Sequence, residues 1–371
     1  MIYIIKKMYK AFGDYIDNYS DLRGINPFFQ STEITNIYPA IYDVIGSLTL
    51  GGQIHKEVRR FLQPYLRPGI KIVDIAKLIE LKTEELTINI PNSKPINKGI
   101  GFPASLSINE CAAHYHPSSN SDQVLKESDI IKIDFGVEVN QWIVDSAFSV
   151  YFDHKFDNLA NAVKDATYTG LKNIGVDVSI SEWGAEIQEV MESYEIKLDG
   201  KVHPIRTIKN LGGHNITRGI IHGGMFLPTV DMKEYFSIDY KFKEGVYAVE
   251  TFGSTGDNYA EQKIYSKNFD PTLYRINLEN FTKKKDKKLS IESNNLIENI
   301  YTKFNTLPFT DRYIENDFLN YKNNIKLLVD NELVHQYPPL CVNSGDYTAQ
   351  YEHTVYISDN KKIVFSSSED Y

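Results

Sequence analysis

"KIDFGVEVNQWIVDSAFSV", residues 132–150, sets two aspartates, Asp134 and Asp145, inside apolar runs that otherwise read as β-strands. A carboxylate buried in a strand is costly unless something compensates its charge. Gly136 and Asn140 offer turn chemistry between the two runs, so the stretch reads as a hairpin centred within 136–141. With Val139 and Asn140 as the turn centre, Asp134 and Asp145 fall directly opposite one another, with Cβ atoms roughly 5 Å apart. Like charges so placed repel. Either one acid keeps its proton, as in a carboxyl dyad, or a cation lies between them.

Other acids sit in similar surroundings. Glu250 lies in "GVYAVETFGS" and Glu352 in "YTAQYEHTVYI". Their period-2 neighbours, such as Ala248 and Thr354, are small enough to leave room beside them. His214, in "GGHNITRG", has glycines on one side that leave its ring accessible. Four carboxylates and a neutral imidazole carry a charge that two divalent ions cancel. Carboxylates can bridge two metals, which lie about 3.5–4 Å apart in hydrolytic sites. An oxygen-rich set with one nitrogen suits Mn, Fe, Co or Zn better than a thiolate site would. Each residue also has a plain structural reading, and spacing alone does not join His214, Glu250 and Glu352 to the aspartates. His114, in "NECAAHYHP", and His222, in "RGIIHGG", are candidates for binding a carbonyl oxygen and handling a leaving amine. His116, His203 and His353 carry no such role; His353 is expected to point to the opposite sheet face from Glu352.

The whole chain sets bounds. It has 371 residues, 42% hydrophobic and 24% charged, which is ordinary for a globular protein of one large domain or two smaller ones. A net charge of −9 argues against a general nucleic-acid binder, and the basic run "KKKDKK" at 283–288 reads as a solvated loop. Two cysteines, Cys111 and Cys341, are too few for a disulfide framework and fit a reducing compartment. The first residues contain no signal-peptide core, and no stretch approaches a membrane span, so the expectation is a cytosolic protein.

Order along the chain suggests duplication. Ile54, Val58, Phe61, Leu62 and Leu66 repeat at helical spacing until "RPG" at 67–69, and Val73, Ala76 and Ile79 mark a second helix. Extended segments follow within 84–106, at 129–137 and at 142–152. Leu159, Val163 and Leu171, then Ile180, Trp183, Ile187, Val190 and Met191, repeat the helical pair. Strands are expected around 202–208, 219–228 and 244–252. Residues 270–336 break that order and read as short helices around Leu296, Ile300 and Phe304, and around Ile325, Leu328 and Leu333. A last strand at 347–358 returns to the main sheet. The class is α+β, a duplicated domain with a helical insertion.

Seven motifs, "CAAHYHP", "IIKIDFG", "IVDSAFSV", "LGGHNI", "GVYAVETFGSTG", "YPPLC" and "YTAQYEHTV", resemble those of type 2 methionine aminopeptidases in order and spacing from about residue 40 to 371. The resemblance implies the pseudo-two-fold pita-bread fold. Its catalytic domain would span 39–269 and 337–371, with the type 2 helical insertion at 270–336 and a separate N-terminal segment at 1–38. It implies an enzyme that removes initiator methionine from nascent proteins whose second residue is small and uncharged. Two divalent ions (Co, Mn, Fe or Zn) would be held by five residues. Asp145 and Glu352 bridge, Asp134 holds one ion, and His214 and Glu250 hold the other. A bridging hydroxide attacks the scissile carbonyl, with Glu250 as proton shuttle. His222 would bind that carbonyl. His114 would contact the substrate near the scissile amide, and it matches the histidine alkylated by fumagillin-type epoxides. Phe102 and Ile221 would line the methionine pocket, with Tyr337 near its rim.

The implied partners are nascent polypeptide N-termini and, transiently, the ribosome, with no specific nucleic acid and no membrane. The implied state is a monomer. Two departures stand out. Ile264 occupies a position where the family often has a histidine, at the methionine pocket. The long charged N-terminal extension of animal members has no counterpart, so ribosome docking through such a tail is not expected. A proline-directed aminopeptidase of the same fold shares the five-ligand logic but requires neither the insertion nor "CAAHYHP". A non-catalytic relative that binds RNA or partners would have lost ligands, and all five are present.

Overall fold

The computed structural model describes residues 43–88, 90, 97–232, 240–261, 269, 271–283, 289–318 and 320–371. Residues 1–38, Ile264 and 284–288 of the basic run lie outside the described residues. Helix α1 (Val44–Leu62) starts at Asp43, whose carboxylate accepts the Gly46 N–H at 2.6 Å and so satisfies one of the helix's orphan donors. It buries Leu48, Ile54, Val58 and Leu62. The expected continuation to Leu66 does not occur. Pro64 has no N–H to donate, and the chain tightens into a 3₁₀ turn over Gln63–Tyr65. Helix α2 (Ile72–Ile88) buries Val73, Ala76 and Ile79. Then come β1 (Lys98–Ile108), the short β2 (Cys111–Ala113), β3 (Ile130–Val139) and β4 (Trp142–Tyr151), with β1, β3 and β4 forming one antiparallel sheet in that order.

The second pass repeats the plan. Helices α3 (Asp157–Asn173) and α4 (Ile180–Glu192) are followed by β5 (Glu195–Leu198), β6 (Lys201–Pro204), β7 (Arg206–Thr207), β8 (Gly212–Ile216), β9 (Phe226–Pro228) and β10 (Gly245–Ser254). Ser179 caps α4 by accepting the Glu182 N–H. The extended segment expected at 219–228 is only β9; the strand that matters is β8, which precedes it in the same arm. Gly213 lets β8 approach β10, since a Cβ there would come within 2.3 Å of the Ala248 carbonyl oxygen.

Between the two ends of the second sheet lie β11 (Leu273–Ile276), α5 (Leu278–Thr282), α6 (Ile291–Phe304), β12 (Phe309–Thr310), α7 (Tyr321–Asp330) and β13 (Val334–Tyr337). Reading this segment as helices alone is incomplete. β12, β11 and β13 form a small sheet of their own, and Leu333 sits beyond α7. Leu296, Ile297, Ile300, Phe309, Leu328 and other residues of this segment close their own apolar cluster. Strand β14 (Leu340–Cys341) pairs with β2, and β15 (Thr348–Ser358) and β16 (Lys361–Val364) complete a sheet ordered β16-β15-β10-β8-β9.

The opening hairpin forms, with a different register. Val139 pairs with Trp142, so the two-residue turn is Asn140–Gln141, not Val139–Asn140. Both turn residues have positive φ, 54° and 68°, the requirement of a type I′ turn. Asp134 therefore faces Ala147, and Asp145 faces Gly136. The shift is even, so both acids keep the same face as diagonal neighbours rather than a direct pair. Gly136 is a strand residue, not a turn residue. A Cβ on it would lie 2.4 Å from the Phe102 ring, so its bareness makes room for that ring.

The two sheets meet along β4 and β15. β16 covers only Val355–Ser358 of β15. Upstream of that, side-chain hydroxyls replace a backbone ladder. The Thr354 hydroxyl accepts the Asp145 N–H at 2.8 Å and donates to the Asp145 carbonyl at 2.7 Å. The Ser146 hydroxyl donates to the Glu352 carbonyl at 2.7 Å, and the Ser149 hydroxyl bonds both backbone groups of Gln350. This seam holds one acid from each half of the molecule.

Candidate metal centre

Five strands deliver the ligand set. Asp134 comes from β3, Asp145 from β4, His214 from β8, Glu250 from β10 and Glu352 from β15. Glu250 and Glu352 are directly paired across β10 and β15, and His214 pairs with Ala248, one period-2 step from Glu250. Ligand atoms of Asp145, His214 and Glu352 lie within 4.8 Å of one another, as do those of Asp134, Glu250 and Glu352. Glu352 belongs to both groups. The resemblance pairs Glu250 with His214, whereas the side-chain positions group Glu250 with Asp134.

Asp134 Oδ1, Asp145 Oδ1 and both carboxylate oxygens of Glu352 are buried without a hydrogen-bond partner. Leaving a buried acceptor unmet costs about 1–3 kcal/mol each, so four such atoms converging on one spot fit a cation that they would share. The charge pattern agrees. Burial first, then the neighbouring carboxylates, pushes the Asp134, Glu250 and Glu352 carboxyls well above the usual range. His214 Nε2 lies 3.4 Å from Asp145 Oδ2, while its Nδ1 faces the Asn215 carbonyl at 3.4 Å. With the proton on Nδ1, Nε2 is left as the ligand atom.

The sequence reading missed Gln350. Its amide donates to Glu250 Oε1 at 2.6 Å and to Asp134 Oδ2 at 3.3 Å, which leaves one oxygen of each carboxylate for an ion. Its signal was available: it sits two residues before Glu352 and so shares its face. Thr354 also does more than leave space, since it clips the Asp145 backbone.

A cavity of about 370 Å³ opens onto the acids. Phe102, Ile221, His114 and His222 line it, with Leu211 and Met225. Tyr337 packs edge-on against His114, with ring centroids 6.0 Å apart. His114 follows β2 in a left-handed conformation, φ 65°, which an L-residue adopts only when its surroundings impose it. That kink turns the ring into the cavity. Burial lowers its pKa to about 4, so it is neutral near pH 7. The His222 ring stands perpendicular to His214, with centroids 4.3 Å apart. Burial, then His214, His114 and Arg275, brings the His222 pKa down to about 2. Its ring is open to the cavity, so solvent tempers the depth of that shift but not its direction. His353 lies behind the sheet, bonded to Ser366 and stacked on Tyr371.

Residues 47–265 match the model of metallopeptidase family M24. The chain is similar to methionine aminopeptidase 2-1 of Aspergillus flavus, 41% identical over 338 residues, covering 89% of this chain and 72% of that protein. Among solved structures it is similar to a thermophilic Arx1, with a TM-score of 0.71 at 17% identity over 92% of this chain and 93% of that one. It is also similar to methionine aminopeptidase from Rickettsia prowazekii, with a TM-score of 0.55 at 15% identity over 86% of this chain and 96% of that one. These two structures speak for the duplicated pita-bread fold alone. The chain belongs to metallopeptidase family M24 and, within it, to the type 2 methionine aminopeptidases.

Proposed function

We infer that this chain is a metal-dependent aminopeptidase that removes initiator methionine from nascent proteins whose second residue is small and uncharged. The observation that carries the reading is Glu352 standing in two ligand groups with both oxygens unpartnered. In this reading two divalent ions of Mn, Fe, Co or Zn would be held by Asp134, Asp145, His214, Glu250 and Glu352, with Asp145 and Glu352 as the shared ligands and Glu250 on the Asp134 side as the side chains stand. Ions so bound lower the pKa of water and polarise the scissile carbonyl.

The chain's own residues do the rest. Phe102 and Ile221 take the apolar thioether side chain, with Tyr337 supporting His114 at the edge. His222, neutral at working pH, donates a hydrogen bond to the scissile carbonyl oxygen as negative charge develops there. His114 contacts the peptide beside the scissile amide. Gln350 fixes Glu250 Oε1, so Oε2 is the atom free to bind and to pass a proton toward the leaving amine.

The catalytic domain in this reading comprises 39–269 and 337–371. Residues 270–336 form the insertion, whose Leu273 and Pro308 reach the cavity wall. Nascent N-termini are the partners, met transiently at the ribosome by a cytosolic monomer. No helix among the described residues is long and apolar enough to cross a membrane. The test is hydrolysis of Met-Ala-Ser against X-Pro peptides after metal removal and readdition. Metal-restored release of methionine from Met-Ala-Ser alone supports the reading; preference for X-Pro peptides overturns it.

A further inference from the structure

The hydroxyl seam between β4 and β15 continues behind the metal centre. Ser146 follows the shared ligand Asp145, and its one O–H is donated to the carbonyl of the other shared ligand, Glu352. A serine hydroxyl has a single proton. The contact between Ser146 Oγ and Tyr371 OH, at 2.6 Å, therefore has tyrosine as donor. Arg59 Nη1 in turn approaches the Tyr371 oxygen at 3.4 Å as a donor. The direction is fixed along the whole run: Arg59 to Tyr371, Tyr371 to Ser146, Ser146 to the Glu352 backbone. Such chains strengthen each member by polarisation.

The start of the run is anchored. Arg59 Nε and Nη2 each lie 2.7 Å from a different oxygen of Asp370, and Nη1 also donates to the Ser366 carbonyl at 2.9 Å. The Tyr371 ring stacks on His353 with centroids 4.8 Å apart at 15°, and Arg59 lies over its other part, 4.3 Å from the centroid. Tyr371 is 5% exposed and Arg59 is 2% exposed, so the assembly is internal. Nothing in the peptide chemistry uses it. One outlet is the seam between the strands of Asp145 and Glu352; another runs from Arg59 Nη1 to His55 Nδ1 at 3.1 Å and from His55 Nε2 to the Phe135 carbonyl at 3.0 Å.

We propose that Tyr371 is a positioning residue: through Ser146 its hydroxyl sets the spacing of the strands that carry Asp145 and Glu352, and so sets how tightly the centre holds its ions. This rests on the reading of Asp145 and Glu352 as shared ligands. Tyr371→Phe keeps the ring and its stacking and removes the donor. Calorimetric titration of the metal-free protein with Mn²⁺ is expected to show binding roughly 10-fold or more weaker than in the parent, the size of effect that loss of a supporting partner has at metal sites. At saturating Mn²⁺, KM for Met-Ala-Ser stays within about twofold while kcat falls, because the methionine pocket is untouched. Ser146→Ala breaks the same run and shows the same weakening. Parental Mn²⁺ affinity in either variant overturns the proposal, whatever happens to its melting temperature, since Tyr371 would then only pack. If the parent itself takes up no Mn²⁺, the metal reading fails and the relay falls with it.

Discussion

Glu250 and Glu352 face each other across β10 and β15, two carboxylates in direct register, and neither oxygen of Glu352 has a hydrogen-bond partner. A sheet places like charges opposite one another at a cost. Asp134 and Asp145 approach from the other sheet and add to it. Without ions, the folded protein can lower that cost only by keeping protons on these carboxyls.

That gives a pH dependence with a definite sign. Burial and mutual repulsion raise the Asp134, Glu250 and Glu352 pKa values in the folded, metal-free protein. Their contribution to stability is fully present below the unfolded pKa, near 4, and is lost as pH rises through the folded values. Bound ions replace the protons and remove the loss. The lowered histidines, His55, His114, His116, His222 and His353, act only below about pH 6.5, and Lys132 and Glu138, brought down and up respectively to about 7 by burial, act alike with and without metal. The gap in melting temperature between metal-loaded and metal-free protein is therefore expected to widen between pH 6.5 and 8, by roughly 2 °C or more. A gap that stays level or narrows contradicts the assignment of these acids as ligands.

Asp145→Asn keeps the size of the side chain and weakens its ability to be shared between ions. The variant is expected to fold, because Thr354 holds the residue through its backbone. Mn²⁺ uptake falls, and kcat/KM for Met-Ala-Ser drops by more than about 100-fold, beyond what losing a supporting partner costs. Full activity in a folded Asp145→Asn protein contradicts its place among the ligands.

His114 is a half-buried imidazole in the cavity wall with its pKa lowered to about 4 by burial, so its nucleophilic form dominates at neutral pH. Treatment with a fumagillin-type epoxide is expected to add one equivalent at His114, detected by peptide mass mapping, and His114→Ala abolishes the adduct. An adduct on another residue, or one that survives His114→Ala, contradicts the placement of this ring beside the substrate.

Much of the site was legible because buried acids in apolar strands are rare and leave a local mark. Asp134, Asp145, Glu250 and Glu352 all stood out that way, and period-2 alternation put His353 behind the sheet. The hairpin register was misjudged because "GVEVNQ" offers two kinds of turn residue. Gly136 drew the turn toward itself, although its glycine serves the packing of Phe102. Asn140 and Gln141 took the turn through positive φ, which glutamine rarely signals. No strand was expected at His214, because β8 is short and its glycines serve close approach to β10. Gln350, Ser146, Thr354 and Tyr371 were silent for a different reason. Uncharged polar residues in strands are common, and their partners in the site lie 100 or more residues away in sequence.

The most direct measurement is anomalous scattering from crystals grown with Mn²⁺, recorded at the manganese edge. The account predicts two peaks about 3.5–4 Å apart, both in contact with Asp145 and Glu352, one also with Asp134 and the other also with His214. A single peak, or peaks that leave Asp145 or Glu352 without an ion, would contradict it.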